Sequence, residues 1–317
     1  QINTLATSGN FTIEDNASLV QGGTTNTNSG NIIVKRMAKP MKRYDYTYWS
    51  SPVANQSLHA FSTGTFFDKF HSWNSGVGVL PGNWTTHLST GSDVPMIAGK
   101  GYIVRAPQSF PIATVNPLNF TGQFSGIPNN GDITINVRGN TSTVPTEFKW
   151  NLIGNPYPSA ISAADFFVEN SSKVNGAIYL WTHNSPPSNT ITGDATYNYT
   201  ASDYAVYNGV GGTATTSGAV GNPLNPPNTN PNLNVPNGFI ASGQSFFIKG
   251  KADATVKFTN AMRVTTNNNQ FYRIATNENQ SVSVEKNRFW LNLRNEQGAF
   301  NQTLIGYVQG ATNDFED

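Results

Sequence analysis

The sequence predicts an all-β chain: two duplicated, jelly-roll-like β-sandwich domains, preceded by an N-terminal β-hairpin and followed by C-terminal strands. Three observations carry this expectation. The 317 residues are polar without being charged, since only 12% are Asp, Glu, Lys or Arg and the polarity comes from Asn, Thr, Ser and Gly. That mix disfavours helix interiors and suits strands and turns. The apolar residues fall in short runs bounded by Gly, Pro, Asn and Ser, which is the signature of strands. Finally, one ordered set of motifs occurs twice.

Residues 1–40 carry FTIEDNASLV (11–20) and GNIIVKR (30–36). They are expected to pair as a hairpin, or as a rung covering the edge of the next domain. Residues 41–146 form the first sandwich, with strands expected over 44–49, 66–73, 100–106, 118–125 and 132–137. Pro128-Asn129-Asn130-Gly131 carries the Asn-Gly signal of a tight hairpin. Gly99, Gly101, Gly122 and Gly126 flank strands, where bulges or close approaches are expected.

Residues 147–264 repeat this order. WNLIGNPYPSA (150–160) matches YWSSPVAN (48–55), each a strand running into a proline corner, and IASGQSFFIKG (240–250) matches IAGKGYIVRAP (97–107). Trp150 and Pro156 are read as architecture, with Trp150 expected in a core. One helix is expected over 162–169, with Ser162 as N-cap and Asp165 three residues on. A Gly/Thr/Pro/Asn-rich loop is expected over 208–238. Residues 265–317 begin a third unit: NRFWLNLRN (287–295) alternates Phe289, Leu291 and Leu293 with polar neighbours, and TLIGYVQG (303–310) is its expected partner across a turn near Gly298. Two strands make a marginal sheet alone, so their edges are expected to dock on the preceding domain or to accept a strand from another molecule.

The net charge of +1 excludes the basic stripe of a nucleic-acid binder. With no cysteine there is no disulfide, thiolate metal site or cysteine nucleophile. No run approaches the roughly 20 apolar residues of a membrane helix, so membrane insertion is not expected. The chain opens on Gln1, which reads as a mature or trimmed start.

No catalytic motif is present, and no catalytic or metal-ligating residue is assigned. His71 and His183 fall at neighbouring places in the two repeats, beside Trp73 and Trp181. Loop imidazoles beside tryptophan are the expected reading. The candidate ligand-binding residues are Trp73, Trp84, Trp181, Tyr199 and Tyr204, with Tyr197 and Tyr207 nearby. Aromatic faces among Asn and Asp suit sugar stacking; the competing reading is that most of these rings complete the cores. No cofactor is expected. Asn/Asp-rich loops supply oxygen ligands of the kind Ca²⁺ takes, but no twelve-residue calcium loop matches.

The motifs FTIEDNASLVQ, GNIIVKR, YDYTYWSSPV, GKGYIVRAP, WNLIGNPYPSA, IYLWTHN, FTNAMRV and RFWLNLRNEQGAFNQTLIGYVQGAT together resemble a family of long secreted surface proteins of Bacteroidota, flavobacteria especially. The resemblance covers nearly the whole chain. It implies export by the type IX secretion system, an extracellular or cell-surface location, and roles in adhesion, matrix building and display. Members usually continue past the segment matching Gly306-Tyr307 into a C-terminal sorting domain, so a processed or truncated product is implied here. The expected function is therefore a non-enzymatic extracellular structural or adhesive protein. Its expected partners are its own copies or other surface components, joined by β-strand addition into a filament or surface layer. The alternative is a carbohydrate-binding module whose glycan partners stack on the loop aromatics. A hydrolase with an unrecognised site is a third reading.

Overall fold

A computed structural model of the chain describes residues 4–9, 11–76, 82–88, 94–112, 118–139, 149–191, 198–215, 233–269 and 271, and the backbone of 288–294 and 300–306. The turn expected at Gly298, most of the loop over 208–238, and Tyr197 lie outside these residues. The chain divides into two units, 1–275 and 276–317. As expected, it is all-β, with one α-helix.

In chain order the first strands are β1 (Phe11–Ile13), β2 (Ile32–Met41), β3 (Tyr46–Trp49), β4 (Val53–Ala54), β5 (Phe70–Asn74), β6 (Asn83–Thr86), β7 (Tyr102–Arg105) and β8 (Leu118–Pro128). They form two four-stranded sheets, ordered β1-β2-β8-β4 and β3-β7-β5-β6. Alternation along each strand sends one set of side chains between the sheets. Val34 and Phe124 from one sheet meet Trp49, Phe70, Tyr102 and Val104 from the other in a single buried core. Gly122 lies on the inward face of β8, where a β-carbon would stand 2.4 Å from the Phe61 ring. The close approach expected there therefore exists, and its cause is aromatic packing.

Two expectations for this region are corrected. β1 and β2 run parallel, with Phe11 opposite Ile32, so they form no hairpin; the long 14–31 connection returns the chain to run in the same direction. Nor is 128–131 a hairpin turn. Gly131 takes the positive φ of 75° that the Asn-Gly pair suggests, but β8 pairs with β2 and β4, whereas the next strand joins a different sheet. The segment is held as a junction. Asn129 Nδ2 donates to Ser51 O and Pro156 O, and Tyr157 Oη donates to Gly131 O at 2.6 Å.

The chain continues through β9 (Ile133–Val137), β10 (Lys149–Gly154), β11 (Ala160–Ser162), α1 (Ala163–Glu169), β12 (Ile178–Trp181), β13 (Tyr204–Tyr207), β14 (Gly212–Thr213), β15 (Phe239–Ile240), β16 (Ser245–Gly250), β17 (Ala254–Phe258) and β18 (Arg263–Val264). Ser162 caps the helix as expected, its Oγ accepting from Asp165 N at 3.2 Å. Phe166 on α1, Ile153, Ile178, Leu180, Phe246, Ile248 and Phe258 fill a second core. The main sheet here is ordered β10-β16-β12-β13-β14. As in β3-β7-β5-β6, the two strands that carry the matched motifs, β10 with 150–153 and β16 with 245–250, stand side by side at one end of the sheet. β9 pairs with β17 as β2 pairs with β8.

The two halves join reciprocally. Trp49 bridges to Gln244, and Ile153 bridges to Lys100. Ser50 N donates to Gly243 O at 2.8 Å, and Gly154 N to Gly99 O at 3.0 Å. Ser50 and Gly154, and Gly99 and Gly243, are matched positions in the sequence repeat, so the same kind of contact is made twice. Both glycines have φ of +77°, the left-handed region that costs a side chain strain. Each glycine turn enters the opposite half. Gly99 lies against Ile135 and Phe258, and Gly243 against Arg36 and Phe124. The proline corners are matched too. Ser51 Oγ accepts from Val53 N, and Asn155 Oδ1 from Tyr157 N, so the polar residue changes while its turn bond two residues on is kept.

The second unit contains β19 (Arg288–Arg294) and β20 (Phe300–Gly306), paired antiparallel from Arg288 opposite Gly306 to Arg294 opposite Phe300. A two-stranded pairing was expected from the sequence; its second strand begins three residues before the expected 303 and ends at Gly306.

Candidate functional site

The outer faces of the two main sheets meet through their aromatic side chains. On β3, Trp49 turns into the first core, so Tyr46 and Tyr48 turn outward. On β16, Phe246 and Ile248 fill the second core, so Phe247 turns outward. The same alternation turns out Trp73 on β5 and Tyr179 and Trp181 on β12. Tyr48 stacks on Trp181 at 5.7 Å with an interplanar angle of 8°, and meets Trp84, Tyr204 and Phe247 within 6.2 Å. Trp73 stands edge-on to Trp84 at 5.0 Å and to Phe247 at 5.3 Å. Tyr199 closes one side, 5.9 Å from Trp181 and 5.2 Å from His183. Offset and edge-on pairs of this kind each add about 0.5–1.5 kcal/mol beyond the area they bury.

All five candidate aromatics therefore stand in one network, between the sheets. Trp181 is buried, Trp73, Tyr199 and Tyr204 are half-buried, and Trp84 is the one with an exposed ring, at 36%. Tyr48 and Tyr204 share a hydroxyl–hydroxyl bond of 2.5 Å. Burial pushes both phenols well above their usual range, and the neighbouring hydroxyl adds to the rise at Tyr48. As neutral phenols they bond to each other across the joint.

Beside the network lies a second polar joint. His183 is buried and adopts a positive φ of 53°. Its Nε2 faces Asp45 Oδ1 at 3.0 Å, and its Nδ1 accepts from Tyr46 N at 3.4 Å, which fixes the proton on Nε2 in the neutral ring. Asp203 accepts from Ser185 N, and burial raises its carboxyl to about 6. His71, its Nδ1 bonded to Thr86 Oγ1, is driven down to about 4 by burial and by Lys69. The Asp45–His183 pair borders a shallow cleft that is also lined by Lys42, Tyr44, Ile112, Pro186 and Pro187. Among the described residues no three His, Asp or Glu side chains stand close enough to hold a metal ion. None of the 18-residue helical windows needed to cross a membrane exists among them either.

The whole chain, residues 1–317, matches the model of a family described as a domain of unknown function (DUF8693). The chain belongs to this family. No curated protein and no solved structure matches it. The DUF8693 match spans both halves, so the aromatic joint, the His183 joint and the cleft all lie within one family domain.

Sequence reasoning named Trp73, Trp84, Trp181, Tyr199 and Tyr204 but missed their central partners Tyr48 and Phe247. The alternation was legible: Tyr48 precedes Trp49 and Phe247 follows Phe246, so one member of each pair must face away from the core. Asp45 carries no local signal, because its partner is 138 positions away and is held by a backbone φ that the sequence does not reveal. Trp150 also needs correction. It is half-buried in the joint, 4.6 Å from Tyr179 and with Lys249 Nζ 4.7 Å over its ring. The core position of the repeat belongs to Trp49 and Ile153.

Proposed function

We propose that this DUF8693 chain is a non-enzymatic structural or adhesive protein of the extracellular bacterial surface. It is built as two duplicated β-sandwiches and self-assembles by strand addition through its C-terminal hairpin. Duplication is supported by the like placement of the motif-bearing strands in the two main sheets and by their reciprocal contacts. We start the copies at β2 and β9, since these strands pair with β8 and β17.

The observation that carries the assembly reading is β19–β20. Seven residues pair with seven, yet the sheet holds only these two strands among the described residues. Such a ribbon is marginal alone and presents two backbone edges for a further strand. In the sequence Phe289, Leu291 and Leu293 alternate along the first of these strands. Sedimentation velocity and electron microscopy of the full chain test this. Concentration-dependent oligomers or filaments are expected, and a strict monomer at high concentration would rule out assembly while leaving the duplication untouched.

A further inference from the structure

We propose that the exposed aromatic patch of Tyr44, Phe66 and Phe67 is a surface on which two copies of this chain pair about a twofold axis. The proposal rests on the self-association reading but not on the C-terminal hairpin, and it uses residues outside the aromatic joint.

The patch stands on a fixed frame. Thr65 Oγ1 donates to Arg105 O at 2.7 Å, and Lys69 N donates to Phe66 O at 2.9 Å. The backbone that carries the two phenylalanines is thereby tied to the end of β7. The central carbon of the buried Arg105 lies 5.8 Å from the Phe66 centroid and 5.7 Å from that of Tyr44. The buried His59 stands edge-on to Phe67 at 5.3 Å. The supports are buried, yet Phe66 is 53% exposed, Phe67 59% and Tyr44 37%. Ile112, 41% exposed, lines the cleft with Tyr44. Leu88, 58% exposed, follows His87, whose carbonyl oxygen lies 2.9 Å from His59 Nε2.

The second half treats its own Phe-Phe pair differently. There α1 buries Phe166 edge-on to Phe246 at 5.7 Å, and Phe167 stacks on Tyr207 at an interplanar angle of 10°. In the first half the pair lies on a single 3₁₀ turn, Phe67–Lys69 with Phe66 as its N-cap, and both rings face solvent. Single exposed apolar residues are ordinary, whereas a contiguous apolar patch marks an interaction surface.

Two observations select a second copy as the occupant. The first is area. The three rings expose about 300 Å² between them, and the two aliphatic residues bring the patch to about 450 Å². Two such patches face to face would bury about 900 Å², and a polar rim takes the total to roughly 1,200 Å², where specific interfaces begin. The second is charge. Asp68 and Lys69, next to Phe67, form an ion pair at 2.6 Å whose side chains are 54% and 29% exposed. The rim therefore carries both signs side by side. A twofold axis sets Asp68 of each copy against Lys69 of the other, giving four alternating charges. A nucleic acid or an acidic polymer would meet a like charge beside each opposite one. The net charge of +1 brings little repulsion between copies.

Sedimentation velocity of the full chain over a range of concentrations tests the surface. The wild type is expected to form dimers. Phe66→Ser with Phe67→Ser is expected to weaken them at least about tenfold. Val168→Ser, at a 77% exposed position on α1, is expected to leave them unchanged. Asp68→Lys and Lys69→Asp should each weaken self-association about threefold, and mixing the two variants should restore it, since each supplies the charge that the other lacks. Urea unfolding confirms that each variant is folded. A strictly monomeric wild type, undiminished dimers in the double phenylalanine variant, or a mixture no tighter than its components would each overturn the proposal. So would a monomer that pellets with cellulose or lipid vesicles through Phe66 and Phe67, which would give the patch another occupant. Association that survives the double variant together with amide protection in β19 and β20 overturns this surface and leaves hairpin assembly standing. Dimers lost in that variant with those amides unprotected do the reverse.

Discussion

Replacing Trp49 by Ala tests where the first core lies. Trp49 is 1% exposed. Its ring contacts Phe61 at 4.9 Å, Phe271 at 4.8 Å, Phe120 at 5.9 Å and Phe124 at 6.1 Å. An indole removes about 200 Å² from water, which at about 25 cal/mol/Å² comes to about 5 kcal/mol. Trp-to-Ala changes in cores cost about 3–5 kcal/mol. Trp150→Ala is the comparison. Its half-buried ring loses roughly half that area, about 2.5 kcal/mol on the same basis, and it makes three such contacts where Trp49 makes four: edge-on to Tyr179 and Phe247, with Lys249 over its face. Urea unfolding followed by far-ultraviolet circular dichroism measures both. The first cooperative transition of Trp49→Ala should lose at least about 1 kcal/mol more than that of Trp150→Ala, at unchanged m-value. Equal losses, or a larger loss in Trp150→Ala, would show that the strand alternation has been assigned to the wrong faces.

Three further outcomes are expected. Asn155→Ala should cost about 2–4 kcal/mol in the same unfolding assay, since its buried Nδ2 serves Ser159 O, Ile240 O and Ala241 O and removal takes this donor from all three; Ser51→Ala at the matched corner should cost about 1 kcal/mol. Gly99→Ala and Gly243→Ala should each cost about 1–2 kcal/mol, because both sit at φ +77° with no β-carbon contact closer than 3.3 Å; strongly unequal costs would contradict the reciprocal joint. Asp203→Asn should change the pH dependence of thermal stability. Burial lifts the folded Asp203 from 3.8 to about 6, so its contribution is present at low pH and fades as pH rises from about 4 to about 6, by up to about 3 kcal/mol. His71, lowered from 6.5 to about 4, acts oppositely and loses stability as pH falls through that range. Asn keeps an acceptor for Ser185 N and removes only the first effect, so variant minus wild type should grow from pH 4 to 6 and stay level above 7. A difference independent of pH would refute the buried-carboxylate account.

Much of the architecture was legible because local rules and tertiary packing agree. The Ser162 cap, the strand at 150–153 and the existence of a two-stranded pairing after residue 287 follow from residue type and period, although the second strand lies at 300–306 and not at the expected 303–310. The repeat IAGKG/IASGQS was legible as a pattern, but not as two turns exchanged between halves, since nothing local says which core a turn enters. The Asn-Gly signal at 130–131 specified a positive φ and was silent on whether the next strand returns to the same sheet. The candidate aromatics were found by type and misjudged in setting: loop flanks in the sequence become the seam between two sheets.

Backbone amide exchange in β19 and β20 of the full chain, measured at low and high protein concentration, addresses the assembly claim most directly. The account predicts that amides on the outer edges of 288–294 and 300–306 become protected as concentration rises, in step with the sedimenting mass. Exchange at those amides that is fast and identical at every concentration would contradict it.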